Sequence, residues 1–400
     1  MNAVRDSVFR KATLFFLLPG ALLLGLPLLG VLVIGHPLGK YMEFPPRTSY
    51  VEHASFSWIA FVLLAALILV VVLPFIIQVL RNQRKAVAPV FQSRPFPWWG
   101  WLGVVLCVAA WALAWNRFTN YQGSPFPIQV LAVKALTSCQ IFTHTPIWLG
   151  YILVVNALTY WRTGHCTMID RPRFFIILFP VSAGYWWFFE YLNRFVQNWH
   201  YTGIANLQPW QYFLYATFPF STVLPSVMGT YELVSSFSRL SSGLDQFMPL
   251  RIPHPRVIAW TTLVISCLGL AAIGAWPDYL FPILWVSPLF ILTSLQTLHG
   301  ERNIFSGIPQ GDWRRICLLG LAVLICGCFW EMWNIRSVAK WVYSVPFVDR
   351  FHIFEMPLLG FAGYLPFGIE CAVIADIITG KHPGNEHQTK IDTNGWQAVC

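Results

Sequence analysis

Ten apolar stretches, each long enough to cross a lipid bilayer, constrain this chain more than any other feature of its sequence. About 20 apolar residues in a helix span the hydrocarbon core of a membrane. Only 11% of the residues are charged, against about 25% in soluble domains. The sequence therefore predicts an integral membrane protein, folded as an all-α polytopic helix bundle. The predicted spans lie near residues 12–35, 56–80, 97–116, 142–161, 174–198, 209–236, 257–276, 281–298, 315–333 and 352–379.

Basic residues are unequally shared between the loops that join these spans. With a cytoplasmic N-terminus, the inner segments carry 18 Lys and Arg residues and the outer loops carry six. Because basic residues accumulate on the cytoplasmic side, we expect both termini to be cytoplasmic, in a plasma membrane of the bacterial inner-membrane type. The net charge of +9 then reflects topology, and no nucleic-acid partner is predicted. We interpret residues 1–379 as one transmembrane domain and residues 380–400 as a short cytoplasmic tail.

A motif that occurs twice is the second informative feature. A Glu-x-x-Asn pair followed by Trp-x-Tyr lies in residues 190–201 and returns in residues 331–343. The Glu and Asn positions are offset by 141 residues, and the Trp and Tyr positions by 142. Since both copies start on spans that run outward, they predict a parallel internal repeat with units near 174–236 (spans five and six) and 315–379 (spans nine and ten). Chance similarity between aromatic-rich apolar segments is the alternative.

Carboxylates within the predicted spans are the candidate catalytic residues. With a helical rise of about 1.5 Å per residue, Glu190 and Glu331 lie at a similar depth toward the outer side of the membrane. Glu355, at the outer start of span ten, can join them. A carboxylate in a bilayer is costly unless it is paired or protonated, so such groups face the bundle interior. We interpret these three residues as general acids or bases, with helix-packing contacts as the structural alternative.

Six neighbouring residues are candidate substrate-binding residues. The asparagines share a helix face with the glutamates at i+3 and can hydrogen-bond either protonation state, so they are expected to orient the carboxylates. Arg194 can pair with a Glu from another span. The tryptophans beside the glutamates either line an apolar cavity or pack in the core, whereas others, such as Trp285 and Trp341, fit a belt at the membrane interface. The six candidates are Asn193, Asn334, Arg194, Trp187, Trp330 and Trp333.

Several motifs that would indicate a cofactor do not occur in the sequence. It contains no G-x-x-x-x-G-K-[ST] loop, no H-E-x-x-H motif and no histidine cluster with di-iron spacing. We therefore predict neither a metal site nor a cofactor.

One stretch resembles the membrane-embedded lycopene cyclase family. Residues 341–357, WVYSVPFVDRFHIFEMP, combine Trp341, Tyr343 and Glu355 beside Pro357, much as that family places aromatic residues and a carboxylate near a proline in tandem copies of a few-span unit. The family has adjacent acidic residues where this chain has one, and it has fewer spans. The resemblance covers under a tenth of the chain. It implies protonation of an alkene in an apolar cavity.

Three functions fit these patterns. The first is an enzyme that modifies a lipid or an isoprenoid by acid/base chemistry in a cavity of Glu, Asn and Trp residues. The second is a proton-coupled transporter of a small solute or lipid, which the carboxylates Glu232, Glu370 and Asp376 near the cytoplasmic side would serve. The third is a non-catalytic subunit docked on a membrane-protein partner. An apolar cavity favours the enzyme, a polar path through the membrane favours the transporter, and a solid core favours the subunit.

Overall fold

The computed structural model describes residues 17–83, 94–116 and 135–379, and these ranges are mostly helical. The predictions for the N-terminal residues and for the tail 380–400 lie outside the described residues, as does most of the loop between spans three and four. The helices of twelve or more residues are α1 (Leu18–Val33), α2 (Trp58–Asn82), α3 (Trp98–Trp115), α4 (His144–Thr163), α5 (Pro172–Val196), α6 (Pro209–Phe220), α7 (Val223–Ser235), α8 (Pro255–Ala272), α9 (Ile283–Leu298), α10 (Arg314–Asn334) and α11 (Tyr364–Thr379).

Six helices in the described ranges are long and apolar enough to cross a membrane, by length and composition. They are α2, α3, α5, α8, α10 and the segment Leu358–Thr379, which contains α11. A seventh is added if Ala135–Phe142 and His144–Thr163, which meet at an angle of 57°, count as one bent span. The apolar helices α1 and α9 are shorter, at 16 residues each. The protein thus has the helices of an integral membrane protein, whereas the number of ten spans remains a prediction.

Helix α2 shows how the sequence suits a lipid environment. It begins at Trp58, where the Ser57 side chain caps the free backbone N–H of Ala60, and it runs for 25 residues. None of its residues is buried against the rest of the described structure. A helix that is apolar on every side and unburied in the protein needs an apolar solvent around it. This helix is the clearest candidate for a lipid-facing surface.

The predicted span 209–236 is broken in the structure into α6 and α7. The break falls at Ser221 and Thr222, just after Pro219, which cannot donate a backbone hydrogen bond. Ser182 of α5 compensates: its hydroxyl donates to the carbonyl oxygen of Phe220 (2.6 Å) and accepts from the Leu224 N–H (3.0 Å). A broken helix within a membrane is tolerated where neighbouring groups satisfy the freed backbone in this way.

Two short antiparallel ribbons modify the predicted all-α fold. Strand β1 (Trp199–Thr202) follows α5 and pairs with β2 (Lys340–Tyr343), which follows α10. Strand β3 (His352–Ile353) pairs with β4 (Met356–Pro357). The first ribbon lies where both copies of the sequence motif end, so it joins two segments that are far apart in the chain.

The helix ends opposite this ribbon meet at the other end of the bundle. There Arg162 donates to the Ser236 hydroxyl (2.8 Å), and Gln78 donates to the Gly243 carbonyl oxygen (2.8 Å). An ion pair of Arg315 with Asp376 (2.7 Å) closes the same end. The segments that the charge distribution assigns to the cytoplasm therefore contact one another.

Candidate functional site

The β1–β2 ribbon presents four aromatic side chains on one face. Its register pairs Trp199 with Tyr343 and Tyr201 with Trp341. Because successive residues of a strand point to opposite faces, residues two apart share a face, and all four of these side chains line one cavity. We call Trp199, Tyr201, Trp341 and Tyr343 the aromatic plate. It measures roughly 5 Å between the strands and 7 Å along them.

The two asparagines of the motif fix this ribbon to the helices. Asn193 donates to the Trp199 carbonyl oxygen (2.7 Å) and accepts from the Asn198 N–H (2.9 Å). Asn334 donates to the Trp341 carbonyl oxygen (2.7 Å) and accepts from the N–H of the same residue (3.0 Å). Both asparagines are fully buried. Both side chains bind the strand backbone and not the neighbouring carboxylates. They therefore position the aromatic plate, whereas the sequence had suggested that they orient the glutamates.

Glu190 is buried in α5 behind the first half of the aromatic plate. Its Oε1 accepts three hydrogen bonds, from the Tyr201 hydroxyl (2.6 Å) and from the indole N–H groups of Trp199 (3.0 Å) and Trp186 (3.0 Å). A carboxylate oxygen that accepts several hydrogen bonds compensates part of the cost of its burial. The glutamate in turn fixes the orientation of three aromatic rings.

Glu331, in α10, accepts hydrogen bonds from the second half of the aromatic plate, as Glu190 does from the first half. Its Oε1 accepts from the hydroxyls of Tyr343 (2.7 Å) and Tyr364 (2.7 Å) and, at 3.4 Å, from the Trp341 indole N–H. Its Oε2 is buried and accepts no hydrogen bond from the described residues. Each glutamate thus binds the Trp and the Tyr of its own motif copy, and Glu331 keeps one oxygen without a partner.

The phenol groups of the aromatic plate are protonated over the ordinary pH range. Burial, and secondly the charge of the Glu190 carboxylate, raise the pKa of Tyr201 well above its ordinary value of 10.0. Burial and the Glu331 carboxylate raise the pKa of Tyr343 in the same direction. Both hydroxyls therefore act as hydrogen-bond donors to the glutamates.

The cavity in front of the aromatic plate is lined almost wholly by aromatic and apolar groups. It has a volume of about 140 Å³. Within the described part of the chain, no Asp, Glu, Lys or Arg side chain lines it. The glutamates and asparagines expected to form the cavity lie behind its wall. The wall contains Phe220, the tryptophans Trp186, Trp199, Trp285, Trp330 and Trp341, and the tyrosines Tyr201, Tyr212, Tyr215, Tyr343 and Tyr364.

Two charged candidates form ion pairs outside this cavity. Glu355, predicted to be catalytic, pairs with Lys340 at the end of β2. Arg194 is buried and pairs with a glutamate, as expected, but this glutamate is Glu43 in the loop between α1 and α2 and not a residue of another span. The Arg194 guanidinium donates to the carbonyl oxygen of Glu43 (2.6 Å) and to its carboxylate (3.0 Å). Arg194 therefore anchors the loop between α1 and α2.

The three tryptophans predicted to bind substrate have different surroundings. Trp330 lines the cavity. Trp187 does not: its indole donates to the Thr217 hydroxyl (3.0 Å) on α6. Trp333 is buried in the core, where its ring contacts Trp148 with a centroid separation of 5.1 Å. The structure brings one of these three to the cavity.

Several cavity residues were missed by the sequence reasoning. Trp285 and Trp341 fitted an interfacial belt but lie in the cavity wall. Trp186 was not missed: it is one of the tryptophans beside the glutamates that were expected either to line a cavity or to pack in the core, and it lines the cavity and binds Glu190. The Trp-x-Tyr spacing was a usable signal for the aromatic plate, since a spacing of two is a strand period. No comparable signal marked Tyr364.

Comparison with known proteins gives no relative from which a role can be transferred. No protein-family model matches the sequence, and neither the curated proteins nor the solved structures contain a match to it. In the described ranges, no group of three or more His, Cys, Asp or Glu residues could hold a metal ion. The function has to be inferred from the chemistry of the cavity and of the residues behind it.

Proposed function

We propose that this protein is a membrane enzyme that binds a lipid or an isoprenoid in the aromatic cavity and transforms it by acid/base chemistry. The observation that carries this proposal is that two buried glutamates bind, by three hydrogen bonds each, aromatic residues that line one cavity. Its place is a plasma membrane of the bacterial inner-membrane type, with both termini cytoplasmic.

The character of the cavity wall supports an apolar ligand. Aromatic and aliphatic side chains suit a molecule with little polar surface, and ligand pockets of this kind fix orientation with a few polar groups. The carboxylates at the end of the bundle opposite the β1–β2 ribbon are hydrogen-bonded to neighbouring residues. Glu370, for example, accepts from the Tyr185 hydroxyl (3.1 Å) and from the Leu289 N–H (2.9 Å). An apolar cavity favours an enzyme or a lipid-binding protein over a carrier of polar solutes.

We assign proton transfer to two Glu–Tyr pairs, Glu190 with Tyr201 and Glu331 with Tyr343. Each glutamate lies behind the wall, whereas each tyrosine is part of it. In this scheme the phenol oxygen takes a proton from the bound molecule while its own hydrogen passes to the carboxylate, and the reverse transfer returns a proton. Such a pair needs hydrogen-bond contact, which the distances of 2.6 and 2.7 Å provide.

Glu355 has a different part in this scheme. Its position at the outer start of span ten made it a candidate acid, but its carboxylate pairs with Lys340 and does not line the cavity. We therefore propose that Glu355 holds β2 in place and that any protonation of an alkene depends on the buried pairs.

The matched contacts also support the proposed internal repeat. Each copy places a Glu behind its own Trp and Tyr and an Asn on its own strand. The ribbon register is what a two-fold axis between the copies requires, because each Trp faces the Tyr of the other copy. The offset changes from 141 to 142 residues in the loop that follows α10. We propose that units 174–236 and 315–379 are parallel copies that together enclose one site.

Mass spectrometry of small molecules that co-purify in mild detergent tests the proposal. We expect one lipid or isoprenoid to be enriched over the bulk membrane. A Trp341→Ala variant should lose it, because that ring lines the cavity. The matched control is Trp260→Ala, an exposed tryptophan of α8. Equal recovery from both variants and the parent protein would contradict the proposal.

Turnover of the recovered molecule tests the acid/base assignment. Glu331→Gln keeps the size of the side chain but cannot accept the tyrosine proton, so turnover should fall about 100-fold or more. The control is Glu370→Gln, a buried glutamate outside the cavity wall, which should keep its activity if it folds. A fully active Glu331→Gln variant would show that the assignment is wrong.

A further inference from the structure

The two glutamates behind the aromatic plate have no cationic partner of their own. Among the described residues, none of the close contacts between a Lys, Arg or His side chain and a carboxylate involves Glu190 or Glu331. All their hydrogen-bond donors are neutral Trp and Tyr groups. Neutral donors reduce the cost of a buried charge but leave its sign unchanged. In their ionised form these two carboxylates therefore place negative charge behind the cavity wall without a cation bonded to either of them. A cation lies at another part of the wall, where the Arg47 guanidinium is 5.1 Å from the centre of the Tyr212 ring.

The rings of the aromatic plate lie between the two carboxylates and the cavity, which they line. The indole N–H and phenol O–H edges of its rings are turned to the carboxylates. The faces of aromatic rings carry the negative end of the ring quadrupole, which attracts cations, and Trp is the strongest such ring. Five tryptophans line this cavity. An aromatic cage of this kind is how proteins recognise alkylated ammonium groups.

One oxygen of the Glu331 carboxylate has no hydrogen-bond partner among the described residues. This oxygen, Oε2, is buried. Buried polar atoms almost always have a partner, and an exception calls for an explanation such as a ligand. A cation held near the aromatic plate would satisfy this oxygen electrostatically.

From these observations we infer that the molecule bound in the cavity carries an ammonium group, which lies against the aromatic plate between Glu190 and Glu331. This inference rests on the proposed function, because it specifies the ligand of the same cavity. The ligand class is a lipid-like molecule with a quaternary or protonated amine, and its apolar part occupies the remainder of the aromatic wall.

The test is a binding titration of the purified full-length protein with choline and with 3,3-dimethyl-1-butanol. These two probes have the same shape, and only the first is charged. We expect choline to bind at least about tenfold tighter. Ethanolamine, as a third probe, separates a quaternary from a primary ammonium preference. Isothermal titration calorimetry reports all three affinities without a label.

Variants locate the source of the preference. A Glu190→Gln/Glu331→Gln double variant should bind the two isosteric probes within about threefold of each other. The control Glu370→Gln removes a buried carboxylate that does not bind the aromatic plate, and it should keep the preference for choline. The comparison of probes on the unmodified protein stands even if the double variant does not fold.

The outcomes separate this inference from the proposed function. If both probes bind equally and Trp341→Ala abolishes their binding, the cavity is a ligand site but the ammonium assignment is wrong, and a neutral isoprenoid is the better candidate. If neither probe binds, the ammonium assignment is also wrong, and the co-purification experiment alone decides whether the cavity takes an apolar ligand. A preference for choline that survives in the double variant would overturn the role of the glutamates.

Discussion

Replacement of Asn334 by Ala should loosen the β1–β2 ribbon. The side chain of Asn334 is the partner of both backbone polar groups of Trp341, at 2.7 and 3.0 Å. Its removal leaves a donor and an acceptor without these bonds, and each orphaned buried group costs about 1–3 kcal/mol. Since Trp341 is only half-buried, water can recover part of this loss, and we expect a total of about 2–4 kcal/mol.

Hydrogen–deuterium exchange with mass spectrometry measures this effect where it occurs. A local loss of 2–4 kcal/mol corresponds to exchange that is about 30 to several hundred times faster in peptides that cover residues 199–202 and 340–343. The control is Asn156→Ala: Asn156 is equally buried but donates within α4, to the Ile152 carbonyl oxygen (2.9 Å). The reasoning fails if ribbon exchange is unchanged in a folded Asn334→Ala protein, or if the control accelerates it equally.

Three further predictions concern the backbone and the phenols around the site. In Gly203→Ala, the added Cβ would lie 2.1 Å from the Val338 carbonyl oxygen, whereas a Cβ at Gly300, which has a similar positive φ, meets nothing within 4 Å. Gly203→Ala should therefore lower the melting temperature more than the control Gly300→Ala. An equal fall in melting temperature in both variants would show that the strain of the positive φ alone matters. Ser182→Ala should cost about 2–6 kcal/mol, because it orphans two buried backbone groups at the α6–α7 break. The control is Ser221→Ala: Ser221 is half-buried and donates only to the Phe218 carbonyl oxygen (2.7 Å), so its loss should cost about 1 kcal/mol or less. Thermal unfolding in one detergent compares the two variants, and equal effects would refute the compensation. The folded protein raises the pKa of Tyr201 and of Tyr343 above 10.0, because it disfavours their ionised forms. The contribution of these two phenols to the free energy of unfolding is therefore complete below pH 10.0 and is lost as the pH rises through their pKa values in the folded protein. A Tyr201→Phe/Tyr343→Phe variant should show a smaller fall in melting temperature above about pH 10 than the parent protein, and parallel curves would contradict this.

The sequence was most informative about depth and spacing within helices. The helical rise per residue placed Glu190 and Glu331 at a similar depth in the membrane. In the structure, each of the two glutamates accepts a hydrogen bond from a tyrosine of the β1–β2 ribbon. The structure breaks the predicted span 209–236 into α6 and α7 just after Pro219, a residue that weakens a helix through its own backbone. Each of these features depends only on the residues of one helix, so it can be predicted from the local pattern of the sequence.

Contacts between distant segments could not be predicted in this way. Strand β1 lies next to an aromatic-rich helix and is four residues long, and it exists because it pairs with a strand about 140 residues away. Strand preference depends strongly on such a context. The pairing of Arg194 with Glu43, and the placement of Trp285 in the cavity wall instead of at the membrane interface, likewise depend on how the helices and loops pack together.

The central claim is that a ligand binds in front of the aromatic plate, and photolabelling tests it most directly. An alkyltrimethylammonium probe with a diazirine in its chain is added to the protein in lipid nanodiscs, irradiated, and mapped by peptide mass spectrometry. We predict saturable labels in peptides that contain residues 199–204, 341–343 and 356–364, and that choline competes for them. Labels confined to lipid-facing surfaces such as α2, which has no buried residue, and insensitive to choline, would contradict the claim.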